Sequence, residues 1–158
     1  MTKATFRERL KALLTLGESP QKLKLAFAVG VFIAFSPLVG IHTVLGVAIT
    51  WLFRFNPVAV MVGVFINNPW TMVPIYGGGL WLGLQLWPPA ADLPGIHFEG
   101  LTFIDFLVQL KPYLIPFVLG CTLTGLVAAL IGYGVMHMLI SAYRTASARA
   151  KAGGGADP

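Results

Sequence analysis

Apolar residues fill this chain in three long runs, and the polar positions that interrupt them take one repeated form. The runs cover residues 23–53, 57–87 and 113–143. Within and between the first two, a polar residue followed by proline recurs at Ser36-Pro37, Asn56-Pro57 and Asn68-Pro69. The residue before a proline is pushed out of the helical region, whereas Ser or Asn suits an N-cap and proline suits the first helical turn. Each pair therefore predicts one helix stopping and another starting, which makes Pro37, Pro57 and Pro69 the helix-break residues. As one continuous helix the first run would measure about 46 Å, too long for one untilted bilayer crossing, so two half-length pieces fit better. The second run carries further loosening at Pro74 and Gly77-Gly78-Gly79.

The flanks read differently. Residues 2–16 place Phe6, Leu10, Leu13 and Leu14 at helical spacing, with Lys3, Arg7, Arg9 and Lys11 largely elsewhere. That pattern predicts an amphipathic membrane-surface helix over 1–18, closed by Gly17, with a solvated basic tail as the simpler alternative. Ser19-Pro20 then offers the same cap-and-proline start for the next helix. Residues 88–112 bring Asp92, Glu99 and Asp105 among prolines and glycines, and predict an outer loop with a short amphipathic stretch. Residues 146–158 have little to bury and predict a disordered tail, leaving 19–145 as the transmembrane domain.

Composition decides the broad class. A hydrophobic fraction of 56%, a charged fraction of 11% and a mean hydropathy of +0.78 depart far from soluble usage. Between Lys24 and Asp92 the only charged residue is Arg54, and Pro112 to Tyr143 has none, so both stretches exceed the roughly 20 apolar residues a crossing needs. The expected fold is an all-α integral membrane protein: two broken or re-entrant helical units followed by one full transmembrane helix. The net charge of +5 comes from basic clusters beside the apolar runs, which fits positive-inside topology and anionic lipid rather than nucleic acid. The first apolar run starts too late and runs too long for a cleaved signal peptide. Cys121, the single cysteine, permits no internal disulfide, and its apolar setting reads as packing.

The two broken runs resemble each other. Ala26 and Val29-Gly30-Val31-Phe32-Ile33 are matched by Ala59 and Val62-Gly63-Val64-Phe65-Ile66, an offset of 33 residues that slips to 32 at Pro37 and Pro69. Chance among common membrane residues and an internal repeat with a site between its discontinuous helices both account for this. Small residues four apart (Ala26, Gly30, Ala34; Ala59, Gly63, Asn67; Gly120, Thr124, Ala128, Gly132) predict close helix packing.

Chemistry concentrates at the breaks. A helix that starts inside a membrane exposes free N–H groups and the positive end of its dipole, and such ends favour anions. Ser36, His42, Thr43, Asn56, Asn67, Asn68 and Thr71 surround these ends and form the candidate substrate-binding set; the alternative is that they only cap helices. Arg54 reads as an interfacial arginine and His42 as a hydrogen-bonded core histidine. Ser36 has His42 near it in sequence but no acid to orient that base, so no catalytic residue is assigned and the chain is not read as an enzyme. No ligand spacing supports a metal, and no cofactor is expected.

Two stretches, GVFIAFSPLVGIHTVLG and LFRFNPVAVMVGVFINNPWTMVPIY, carry the order SPxxGxHT, RxN and NNPxT. In these the chain resembles the bacterial membrane-protein family called domain of unknown function 2062, over roughly residues 19–140. The resemblance implies an inner-membrane location and a short multi-span domain; it implies no activity, ligand or catalytic residue. The expectation is therefore a multi-pass protein of the bacterial inner membrane with both termini cytoplasmic. It would bind or transport an anionic small solute or lipid headgroup at the broken helices, or serve as a structural membrane module that scaffolds partner proteins. Expected partners are membrane lipids and a second copy or another membrane protein, with no nucleic acid.

Overall fold

The computed structural model describes residues 19–37, 40–88 and 103–153. Five helices make up these residues, and no strand occurs among them: α1 Pro20–Phe35, α2 His42–Phe53, α3 Pro57–Val64, α4 Pro69–Leu86 and α5 Phe103–Gly153. The expected amphipathic helix over 1–18 falls outside the described residues, as do positions 89–102 and 154–158.

Three of the polar-proline pairs start helices as predicted. Ser19 caps α1 by accepting from the Lys22 amide, Asn56 caps α3, and Asn68 caps α4, each with proline inside the first turn. Ser36-Pro37 does not. Ser36 takes an extended conformation that ends α1, and Gly40 then turns at φ +88, a region that favours glycine, so α2 begins only at His42. Arg54, at φ 53 and ψ 41, closes α2 in the left-handed conformation and lies exposed.

Long helices correct three further expectations. α4 runs unbroken through Pro74 and the glycine triplet. α5 starts at Phe103, taking in residues 103–112 of the expected outer loop, and crosses Pro112 and Pro116 without interruption. It also continues to Gly153, through most of the expected disordered tail. Of the interior prolines, Pro116 is fully buried against Gly83, a contact that offsets part of a local cost of about 3 kcal/mol, whereas Pro74 is exposed. The SARAKA segment is rich in Ala, Arg and Lys, strong helix formers that extend a helix already nucleated.

The matching segments of the two broken runs pack against each other. A Cβ on Gly30 would overlap the Val60 carbonyl oxygen, and one on Gly63 would come within 2.6 Å of the Phe27 carbonyl oxygen. Val60 lies 33 residues after Phe27, as Gly63 does after Gly30, so the contact is the same seen from either helix. Further along, the Asn67 amide reaches the Ala34 carbonyl, again across 33 residues. α1 and α3 therefore run parallel and in register. Ile33, Val60 and Val64 are almost wholly buried there with Ala26 and Ala59, and Leu45 and Ile49 of α2 close the cluster.

α5 is the strut that carries the remainder. Antiparallel to α1, it sets Gly125 against Phe35 and Gly132 against Phe27 and Val31. Its other half runs antiparallel to α4, with Gly120 and Cys121 on Gly79 and Pro116 on Gly83. α3 and α4 meet at a bend of 71°. Replacing Gly30 or Gly63 by Ala should lower the thermal unfolding midpoint by the equivalent of about 1–3 kcal/mol, because the obstacle is main chain and cannot rotate away. Gly77→Ala and Gly134→Ala, where nothing lies within 4 Å of the new Cβ, should be neutral or slightly stabilising.

Candidate functional site

One side chain joins the two breaks. Asn67, buried just beyond the end of α3, donates through Nδ2 to the Ala34 carbonyl at 2.9 Å and to the Tyr76 hydroxyl at 2.7 Å. Tyr76 in turn donates to the Ser36 carbonyl at 3.2 Å. The last turn of α1, the loop after α3 and the second turn of α4 are thus held by three hydrogen bonds in series. Phe117 of α5 supports the Tyr76 ring edge-on, with centroids 5.7 Å apart.

The other candidates divide sharply. Asn68 accepts at Oδ1 from the Trp70 and Thr71 amides, at 3.0 and 3.2 Å, while the Thr71 hydroxyl accepts from the Asn68 amide and donates to the Ile66 carbonyl. That reciprocal box satisfies the α4 N-terminus from within. Asn56 closes α3 in the same way, accepting from Val58 at 3.0 Å and Ala59 at 3.2 Å. It stands at the start of α3, the opposite end from Asn67, away from the breaks at Pro37 and Pro69.

The first break is left open. Ser36 Oγ and His42 Nδ1 are buried atoms with no hydrogen-bond partner among the described residues. His42 opens α2, whose N-cap residue is Ile41 and makes no side-chain cap hydrogen bond. Thr43 follows in the same first turn and is half-buried. A buried hydroxyl or ring nitrogen without a partner carries a desolvation penalty of about 1–3 kcal/mol. The start of α2 thus has orphan amides, the positive end of its dipole and the unpaired His42 Nδ1, while the unpaired Ser36 Oγ lies at the end of α1. A groove nearby, about 410 Å³ between Phe35, Pro74, Trp81 and Thr124, is almost wholly apolar and includes none of the candidate polar groups. No cluster of three metal-ligating side chains occurs among the described residues.

The profile of the family described as "Uncharacterized protein conserved in bacteria (DUF2062)" matches residues 3–149. The chain belongs to that family. No curated protein and no solved structure matches it. The DUF2062 region takes in all the candidate residues and reaches beyond the 19–140 span of the resemblance at both ends. Tyr76 carries no sequence signal for its role: it sits inside an apolar run, nine residues from Asn67 and 40 from Ser36.

A double-mutant cycle on this DUF2062 chain tests the tie between the breaks. Asn67→Ala should lower the unfolding free energy by about 1–3 kcal/mol and Tyr76→Phe by about 1 kcal/mol. The pair should be non-additive by at least about 0.5 kcal/mol in denaturant or thermal unfolding. Strict additivity would show that the two side chains do not act together.

Proposed function

We propose that this DUF2062 protein is a multi-pass protein of the bacterial inner membrane that binds or moves a small anionic solute or lipid headgroup at its first helix break. The membrane reading is supported by the segment Lys111–Ala146 of α5, with a mean hydropathy of 2.3 and only 22% of its most apolar window buried within the fold. A helix at the centre of a soluble protein would be covered. Trp51, Trp70 and Val73 are 84, 90 and 72% exposed, a surface suited to hydrocarbon and unsuited to water.

On this reading α1 and α2 enter the bilayer and return to the exposed Arg54 as a re-entrant pair. α3 and α4 then cross as one bent span, and α5 crosses back. Irregular backbone at membrane depth requires protein or a wet cavity around it, and the buried Asn67 with its bonds to Ala34 and Tyr76 supports this by supplying part of that cover. Basic residues flank α1 and the end of α5, which favours cytoplasmic termini.

The observation that carries the binding proposal is the pair of unpartnered atoms on either side of the first break, Ser36 Oγ at the end of α1 and His42 Nδ1 at the start of α2, which has no side-chain cap. Ser36, His42 and Thr43 would supply donors to the solute, assisted by the positive end of α2. Asn67 would fix the geometry, while Asn56, Asn68 and Thr71 hold helix ends. A pathway built by so few spans needs a second copy or another membrane protein beside it. The scaffold reading draws on the outer face of α2, where Val44, Val47, Trp51 and Leu52 are exposed together.

Topology reporters fused after residues 55, 95 and 150 should read cytoplasmic, external and cytoplasmic; a cytoplasmic signal at 95 removes this arrangement. For binding, phosphate, chloride and acetate are added to the purified full chain during thermal unfolding. A ligand at ten times its Kd adds about 1.4 kcal/mol of stability. That gain should vanish in Ser36→Val and in His42→Leu and persist in Asn68→Asp, which retains its cap. If no anion moves the wild-type midpoint, the scaffold reading takes its place.

A further inference from the structure

Away from the breaks, α1 and α5 bring together a second group of polar side chains. Lys24, only 9% exposed, lies with Nζ 3.1 Å from His137 Nδ1 and 5.4 Å from the centre of the Tyr133 ring. An ammonium group only donates, so Nδ1 is the acceptor and the His137 proton sits on Nε2. The group therefore carries one positive charge, that of Lys24. The Tyr133 face offsets part of the desolvation of that charge, but it is not a counter-ion. Neither α1 nor α5 beyond Asp105 contains an acidic residue.

A hydrophobic groove begins at the same place. About 320 Å³ in volume, it is lined by Leu25, Ala28 and Phe32 of α1 and by Leu126, Ala129 and Tyr133 of α5, and it exposes no polar surface. Tyr133 is shared: one face lies under Lys24 and the side chain also lines the groove. From Leu25 to Phe32 the groove runs along seven residues of helix, about 10 Å.

The depth of the cluster follows from helix rise. The break is level with Gly125, which packs on Phe35, and His137 lies twelve residues further along α5, about 18 Å away. Lys111 lies fourteen residues in the other direction, about 21 Å. With the breaks near the midplane of a hydrocarbon core about 30 Å thick, Lys24 and His137 stand just outside its edge, at the level of the phosphates.

We infer that Lys24, His137 and the groove between α1 and α5 form a binding site for one anionic phospholipid of the cytoplasmic leaflet. The lipid phosphate pairs with Lys24 Nζ and accepts from Nε2 of His137, an exposed residue, and one acyl chain lies in the groove. The inference rests on the membrane reading above but not on anion binding at Ser36 and His42. It assigns a fixed lipid to a place where a merely interfacial lysine would swing freely into water. Here Lys24 is instead held by two neighbours.

Native mass spectrometry of the full chain, released from micelles carrying equal phosphatidylglycerol and phosphatidylcholine of the same acyl chains, tests it. One phosphatidylglycerol should be retained per chain, at least tenfold in preference to phosphatidylcholine, and inorganic phosphate at the same concentration should not displace it. Lys24→Gln should abolish the preference and Lys24→Arg should keep it, while Lys22→Gln, on the exposed side of α1, should change nothing. Ala129→Trp and Val29→Trp, which fill the groove, should each cut retention at least fivefold in protein whose helix content and elution volume match wild type. Equal retention of both lipids, unchanged preference in Lys24→Gln, or full retention in both folded tryptophan variants would overturn the inference. A chain that fails to insert in the topology assay would instead overturn the membrane reading, and Ser36→Val should leave lipid retention untouched.

Discussion

Main chain against main chain is the contact on which the fold depends. At Gly30 and Gly63 the backbones of α1 and α3 approach so closely that any side chain would collide with a carbonyl of the neighbour, and Gly83 and Gly120 do the same between α4 and α5. Dispersion falls off steeply with separation, so helices with so little buried side-chain volume gain most by bringing their axes together. The buried set makes the point: Ile33, Val60 and Val64 are the largest fully buried side chains of the α1–α3 pair. Larger residues are turned outward instead.

Once α1 and α3 are parallel and in register, their ends must lie side by side, which brings Ala34 to Asn67, while Tyr76 reaches the Ser36 carbonyl. The register thereby sets the location of the polar groups. It leaves the starts of α3 and α4 closed by their own asparagines, and the start of α2 open. Helix ends that look equivalent as polar-proline pairs thus differ in what they have left to offer a solute.

Local rules made much of this legible. Ser19, Asn56 and Asn68 cap through contacts within three residues of themselves, so the sequence around them suffices, and the stripe of Ala26, Gly30 and Ala34 on helical spacing announced a packed face. Ser36-Pro37 misled because its local signal competes with Gly40, whose positive φ inserts a turn before the helix can start. Pro74 read as a loosening, yet α4 runs through it, and in α5 the buried Pro116 packs on the distant Gly83. The expected stripe on α5 was half right: Gly120 and Gly132 are packed, while Gly125, off that stripe, takes the contact with Phe35. Tyr76, and the pairing of Lys24 with His137 across 113 residues, rest on tertiary proximity alone.

Asn67 also has a mechanical meaning. A helix broken in two usually gives each half its own pivot, and two such breaks would supply two independent pivots. Here the Asn67 amide and the Tyr76 hydroxyl weld the end of α1 to the elbow between α3 and α4, so the pivots share one axle. α5 grips one arm on either side of it, α1 by Gly125 and Gly132 and α4 by Gly120 and Pro116. Swinging α4 away from its 71° bend with the weld intact would drag the end of α1 along, and with it the mouth of α2.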